Sequence, residues 1–198
     1  MADRKLLLVV LLATVLPAVA DAASLAEDIM ARMAALPSRS TNFVEEKRLT
    51  SLIAPLISCG RLVFTPAAGP SAARLEQDTE APKPERVVID GDQLTIAQSD
   101  GAPRTLSLDD YPALRTLADT LRAALAGDLA TLRRLYAIEE QGTMQAWRLM
   151  MVPRDAALRR VLARVTLDGS GAELRQIDIQ SDGDEQRLTI QRVGQCAR

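Results

Sequence analysis

The sequence contains no histidine. That removes the side chain most often used as a general base near neutral pH and as a metal ligand. Ser-His-Asp and Cys-His machinery is excluded with it, as are zinc sites built on imidazole. The remaining candidates for chemistry are few. Asp90-Gly91-Asp92 and Asp182-Gly183-Asp184 have the start of a calcium loop, but neither continues to a distal Glu at the required offset. Both read as turns, and no metal site is expected. Glu45-Glu46 and Glu139-Glu140 are adjacent acids. Neighbours on a strand face opposite sides, so each pair reads as solvated charge and not as an acid/base dyad. Lys47 and Lys83 have no serine motif beside them. No catalytic residue and no cofactor is expected.

The two cysteines, Cys59 and Cys196, are an even pair in one small chain. Such a pair in an oxidising compartment reads as a disulfide. The N-terminus points to that compartment. Arg4 and Lys5 precede an apolar run from Leu6 to Leu16, and the small residues Ala18, Ala20 and Ala22 follow. This is the layout of a secretory signal peptide over residues 1–20, with cleavage near 20–23. The run is shorter than the roughly 20 residues that span a bilayer. Its removal leaves 178 residues with 22 basic and 25 acidic side chains. That is one domain's length, with no basic footprint for nucleic acid.

The elements follow from periodicity. Ser24 and Glu27 form a capping box for a helix over 24–36, with Leu25, Ile29, Met33 and Leu36 on one stripe. Strands are expected over 41–52, 60–65 and 74–79. A hairpin of 86–89 and 93–97 turns at Asp90-Gly91-Asp92, and another strand covers 104–108. A helix opens at Asp109 or Asp110 with Pro112 in its first turn and ends at Gly127; Asp128 caps a shorter one. Strands return over 137–140 and 143–152, around Gln141-Gly142. An irregular insert covers 153–162. Strands over 163–167, 173–180 and 185–193 complete the chain, the first turning at Asp168-Gly169-Ser170-Gly171. About nine to eleven strands joined by short connections imply an antiparallel meander, and so large a sheet tends to curl.

Several segments resemble the LolA-type lipoprotein-carrier superfamily, and within it a divergent LolA-related branch. Phe43-Val44-Glu45-Glu46-Lys47-Arg48 is similar to its opening strand. Gly60-Arg61-Leu62-Val63-Phe64-Thr65-Pro66 is similar to its second strand. The stretch from Pro84 through Val88-Ile89-Asp90-Gly91-Asp92-Gln93-Leu94 is similar to its Asp-Gly hairpin. Ala126-Gly127-Asp128, Leu132, Trp147-Arg148-Leu149 and Pro153 look like later landmarks. Where the lipoprotein carriers place an Arg-Trp pair, this chain has Ala72-Ala73-Arg74-Leu75-Glu76.

The resemblance implies a mainly β fold with helices: a curled antiparallel sheet, an incomplete β-barrel of LolA/LppX-like type, with an N-terminal helix and a helical lid. It also implies a non-enzymatic periplasmic role, carrying the acyl chains of a lipid or lipoprotein toward the outer membrane. An inner-membrane transporter would be the donor and an outer-membrane protein the acceptor. The chain is expected to act as a monomer. Acyl chains would be shielded by the strand residues Phe43, Leu62, Phe64, Leu94, Ile96, Trp147, Leu149 and Met151. The lid would add Leu114, Leu117, Leu121 and Leu125. The competing reading of the same residues is an ordinary filled core in an envelope assembly module.

Overall fold

A computed structural model describes residues 23–69 and 72–191. Its first element is helix α1 (Leu25–Ala34). Both capping-box bonds are present: the Ser24 hydroxyl accepts from the Glu27 amide and the Glu27 carboxylate accepts from the Ser24 amide. These satisfy two of the amides that a helix start leaves open. Six strands follow: β1 (Arg39–Arg48), β2 (Leu56–Thr65), β3 (Arg74–Ala81), β4 (Glu85–Asp90), β5 (Gln93–Gln98) and β6 (Arg104–Ser107). After a 3-10 turn come α2 (Pro112–Ala126) and α3 (Leu129–Leu135). Five more strands complete the described residues: β7 (Tyr136–Thr143), β8 (Ala146–Pro153), β9 (Arg164–Ser170), β10 (Glu173–Gln180) and β11 (Glu185–Gln191).

All eleven strands form one sheet in the order β6-β5-β4-β3-β2-β1-β11-β10-β9-β8-β7. Every neighbouring pair is antiparallel. The sheet is an incomplete barrel, because its edges β6 and β7 do not pair with each other. The helical connection between them crosses from one edge to the other over the buried face. Period-two alternation decides which face that is. Along β8, Trp147, Leu149 and Met151 are buried, and in register across the sheet Leu149 meets Leu167, Leu167 meets Ile177 and Ile177 meets Leu188. The opposite face carries cross-strand ion pairs: Arg61 with Asp78, Arg74 with Asp90, Arg148 with Asp168 and Arg187 with Asp178. Exposed pairs of this kind each contribute little stability, but they leave that face wetted and the register unambiguous.

The helices are tied to both flanks of the sheet. The Ala26 amide donates to Glu140 Oε2 on β7 at 3.0 Å. On the other flank Arg122 donates to the Gly91 carbonyl in the β4–β5 turn, and Arg115 pairs with Asp92 at 2.9 Å. Ala118, Thr120, Ala123, Ala124 and Leu125 are the buried residues of α2, which packs on α1 and α3. Leu114, Leu117 and Leu121 are only partly buried against the core.

Five expectations are corrected. Glu45, read as solvated charge, is buried on β1, where its carboxylate accepts from Ser58 Oγ at 2.9 Å and from the Gln186 side-chain amide. The strand read over 41–52 runs over Arg39–Arg48, and β2 begins at Leu56 instead of 60. The intervening tip, with Leu52 and Ile53, is exposed; its aliphatic composition mimicked a strand. The helix expected to be capped by Asp109 or Asp110 starts at Pro112 with no side-chain cap, while Ser107 caps the 3-10 turn Leu108–Asp110. Gln141-Gly142 is not a turn but part of β7, and the chain reverses at Met144-Gln145. Gly142, at φ 88°, is required there because a Cβ would lie 2.1 Å from the Ala146 carbonyl oxygen. Likewise Gly169 lies within β9, and the turn falls at Gly171-Ala172. Cys196 and the proposed signal peptide lie outside the described residues.

Candidate functional site

A cavity of about 1140 Å³ lies at the end of the sheet where α1 leaves for β1. Its size exceeds that of typical small-molecule pockets. Met33 and Leu36 roof it from α1 and the segment after it. Leu62 and Phe64 of β2, Trp147 of β8, Leu174 of β10 and Ile190 of β11 supply apolar wall, and Leu125 enters from the last turn of α2. Exposed Gln141, Arg148, Glu173 and Arg175 mark the side open to water.

Trp147 is held by two local features. Its indole Nε1 donates to the Gly171 carbonyl at 3.0 Å. Its ring occupies the space above Gly169, where an added Cβ would come within 2.1 Å of Cζ2. Two turn-like glycines in the sequence are therefore the seat of the cavity's aromatic wall.

Arg39 is the unusual group in this lining. It opens β1, two residues before Thr41 and on the same face, so its side chain turns inward with that face. Its guanidinium lies 5.1 Å from the centroid of the Phe64 ring, a cation–π contact. Nη2 donates to the Leu125 carbonyl at the end of α2. Nη1 is shielded from water and has no hydrogen-bond partner among the described residues. Burial pushes the pKa of this side chain below the ordinary arginine value, yet an arginine remains charged in proteins.

A family model described as "Outer membrane lipoprotein carrier protein LolA-like" matches residues 18–197. The chain belongs to this LolA-like family. No curated protein matches it. Among solved structures, a LolA superfamily protein of Nitrosomonas europaea is 12% identical, with 85% of this chain and 92% of that one covered and a TM-score of 0.42. LppX of Mycobacterium tuberculosis is 11% identical, covering 84% and 92%, with a TM-score of 0.41. The MucA/MucB complex of Pseudomonas aeruginosa contains a match at 15% identity over 83% of this chain and 55% of that one, with a TM-score of 0.44. The LolA-like chain thus spans about half the length of that last relative.

In the LolA-like chain the twelve residues expected to shield acyl chains divide into two groups. Leu62, Phe64, Leu125 and Trp147 line the cavity. Phe43, Leu94, Leu149 and Met151 are buried in the core away from its lining, and Ile96, Leu114, Leu117 and Leu121 pack against that core. Cavity and filled core share one sheet face. The sequence reading missed Met33, Leu36, Arg39, Leu174 and Ile190. Period-two counting back from Phe43 reaches Arg39, but only if the strand is begun two residues before Thr41.

Proposed function

We propose that the mature protein is a periplasmic escort that holds the acyl chains of a lipid or lipoprotein in this cavity and moves them toward the outer membrane. The observation that carries the reading is the cavity itself: about 1140 Å³ with a wall that is apolar over most of its area, left unfilled by a sheet whose other half is packed. An apolar hollow of that size, open to water on one side, is a surface that an ordinary core would have closed by packing. Each methylene moved from water into such a site gains roughly 0.8 kcal/mol. Met33, Leu36 and Leu62 are flexible enough to repack around chains of different shape. Membership in a family named for lipoprotein carriers supports the same role. A transporter in the inner membrane is the proposed donor and an outer-membrane protein the acceptor. The absence of histidine supports a role without catalysis.

Native mass spectrometry of protein purified from the periplasm tests this. Acyl-bearing species should co-purify, and their masses identify the cargo. A clean apo mass, with no uptake of a fluorescent fatty acid, overturns the reading. It would favour the alternative of a filled-core envelope module, for which the tight packing around Leu149 and Met151 speaks. The same spectra report the N-terminus, expected between residues 20 and 23 after signal-peptide removal.

Export supplies the oxidising setting for the proposed Cys59–Cys196 bond. Cys59 is buried on β2 in the middle of the sheet. Linking it to the C-terminal tail closes a long loop, and its reduction is expected to cost about 2–5 kcal/mol. Denatured, unreduced protein should show no reactive thiol, and Cys59→Ser should lower the urea midpoint by the same amount as reductant does. Two titratable thiols in the exported protein would rule the bond out.

A further inference from the structure

We infer that the cavity selects amphiphiles with an anionic headgroup, a carboxylate or a phosphate monoester, which pairs with the Arg39 guanidinium. The inference rests on the carrier reading and narrows it to a class of cargo.

A buried charge is ordinarily paired, because an uncompensated one is costly to hold out of water. Arg39, half-buried with its Nη1 fully shielded, departs from that rule. Among the described residues no carboxylate forms an ion pair with it; its polar partner is one neutral carbonyl, that of Leu125, and its ring partner is Phe64. Neither supplies a negative charge. Nη1 has no hydrogen-bond partner among the described residues. The other charges around the cavity do not make up the deficit. Arg148 is already paired with Asp168 at 2.7 Å, and Glu173 and Arg175 lie at the exposed mouth and are of opposite sign. The wall around Arg39 is apolar, with Leu62, Phe64 and Leu125 beside it. The site thus combines what an ionised amphiphile needs: a dry wall for the chain and a cation lacking an anion. Planar guanidinium matches both carboxylate and phosphate oxygens through two parallel hydrogen bonds. A neutral hydroxyl headgroup would enter the same wall and leave the cation uncompensated.

Trp147, the single tryptophan, lines the cavity and reports binding by its fluorescence. Three dodecyl ligands, dodecanoate, dodecyl phosphate and dodecan-1-ol, are compared with inorganic phosphate, which has no chain. Both dodecyl anions should bind about tenfold or more tightly than dodecan-1-ol, the scale of a charge-assisted hydrogen bond. The tighter of the two identifies the headgroup. Arg39→Gln should collapse that ratio toward one, and Arg39→Lys, which keeps the charge, should retain a preference for the anions. Equal affinity of the wild type for anion and alcohol overturns the inference while leaving the carrier reading intact. Inorganic phosphate binding as tightly as dodecyl phosphate also overturns it, since the site would then hold an anion and not an amphiphile. Failure of every dodecyl ligand to bind overturns the carrier reading instead.

Discussion

Gly127→Val is expected to destabilise the protein by about 4 kcal/mol, from left-handed backbone strain and overpacking together. Gly127 closes α2 at φ 71°, and its amide bonds back to the Ala123 carbonyl. A β-branched residue resists that backbone conformation. The space is also taken: a Cβ would sit 2.2 Å from the Met30 carbonyl oxygen and 2.6 Å from the Ala34 amide nitrogen. Both atoms are backbone of α1, so neither can rotate away. Relief would require α1 and α2 to separate, which loosens the roof of the cavity at Met33 and Leu125 together. Thermal unfolding followed by circular dichroism should fall by about 10 °C, at the 2–4 °C per kcal/mol typical of a domain this size. Gly91→Ala is the control. Gly91 has a similar φ of 54° but nothing within 4 Å of an added Cβ, so it should lose only the conformational preference, about 1–2 kcal/mol. Equal losses at the two sites would mean that the helices do not approach as closely as described.

Leu149→Ala should cost about 3–4 kcal/mol, the usual range when a fully buried leucine is cut back in a core that cannot collapse. Leu149 is completely inaccessible on β8, between Glu140 of β7 and Leu167 of β9 in register. Leu125→Ala removes the same atoms but next to existing space. It enlarges a cavity instead of creating one, and about 2 kcal/mol is expected. Urea unfolding of the two variants tests where the filled core ends. If Leu125→Ala costs as much as Leu149→Ala, the void beside Leu125 is not there in solution. Ligand affinity should respond in the opposite sense: Leu125→Ala changes it, and Leu149→Ala does not.

The elements were largely legible in the sequence because their signals are local. The Ser24–Glu27 capping box, the Asp90-Gly91-Asp92 turn and the alternation of Trp147, Leu149 and Met151 each depend on a few adjacent residues, and each is formed. Gly142 and Gly169 misled for a physical reason. A glycine required by a close neighbour is indistinguishable in sequence from one required by a turn, and here the neighbours are Ala146 and Trp147. The division of the apolar residues between cavity and core was not legible at all. Leu62 and Leu94 alternate on their strands in the same way, yet only Leu62 lines the void. What separates them is how the rest of the fold covers each position, which no single strand records. Arg39 was missed because one charged residue at a strand start looks solvated until its partners are known.

The sheet order has a consequence for how the polypeptide matures. The first strand and the last are hydrogen-bonded neighbours at the sheet's centre, with Phe43 opposite Ile190 and Arg48 opposite Glu185. A chain synthesised N-terminus first presents β1 to β6 early, and that ribbon must wait with one flank of β1 unmated. Only when residues 185–191 emerge do the two half-sheets join along this seam. In a plain meander, clipping the final strand trims a border. Here it would split the sheet through its middle and leave two open ribbons, each with the unpaired edge that invites aggregation.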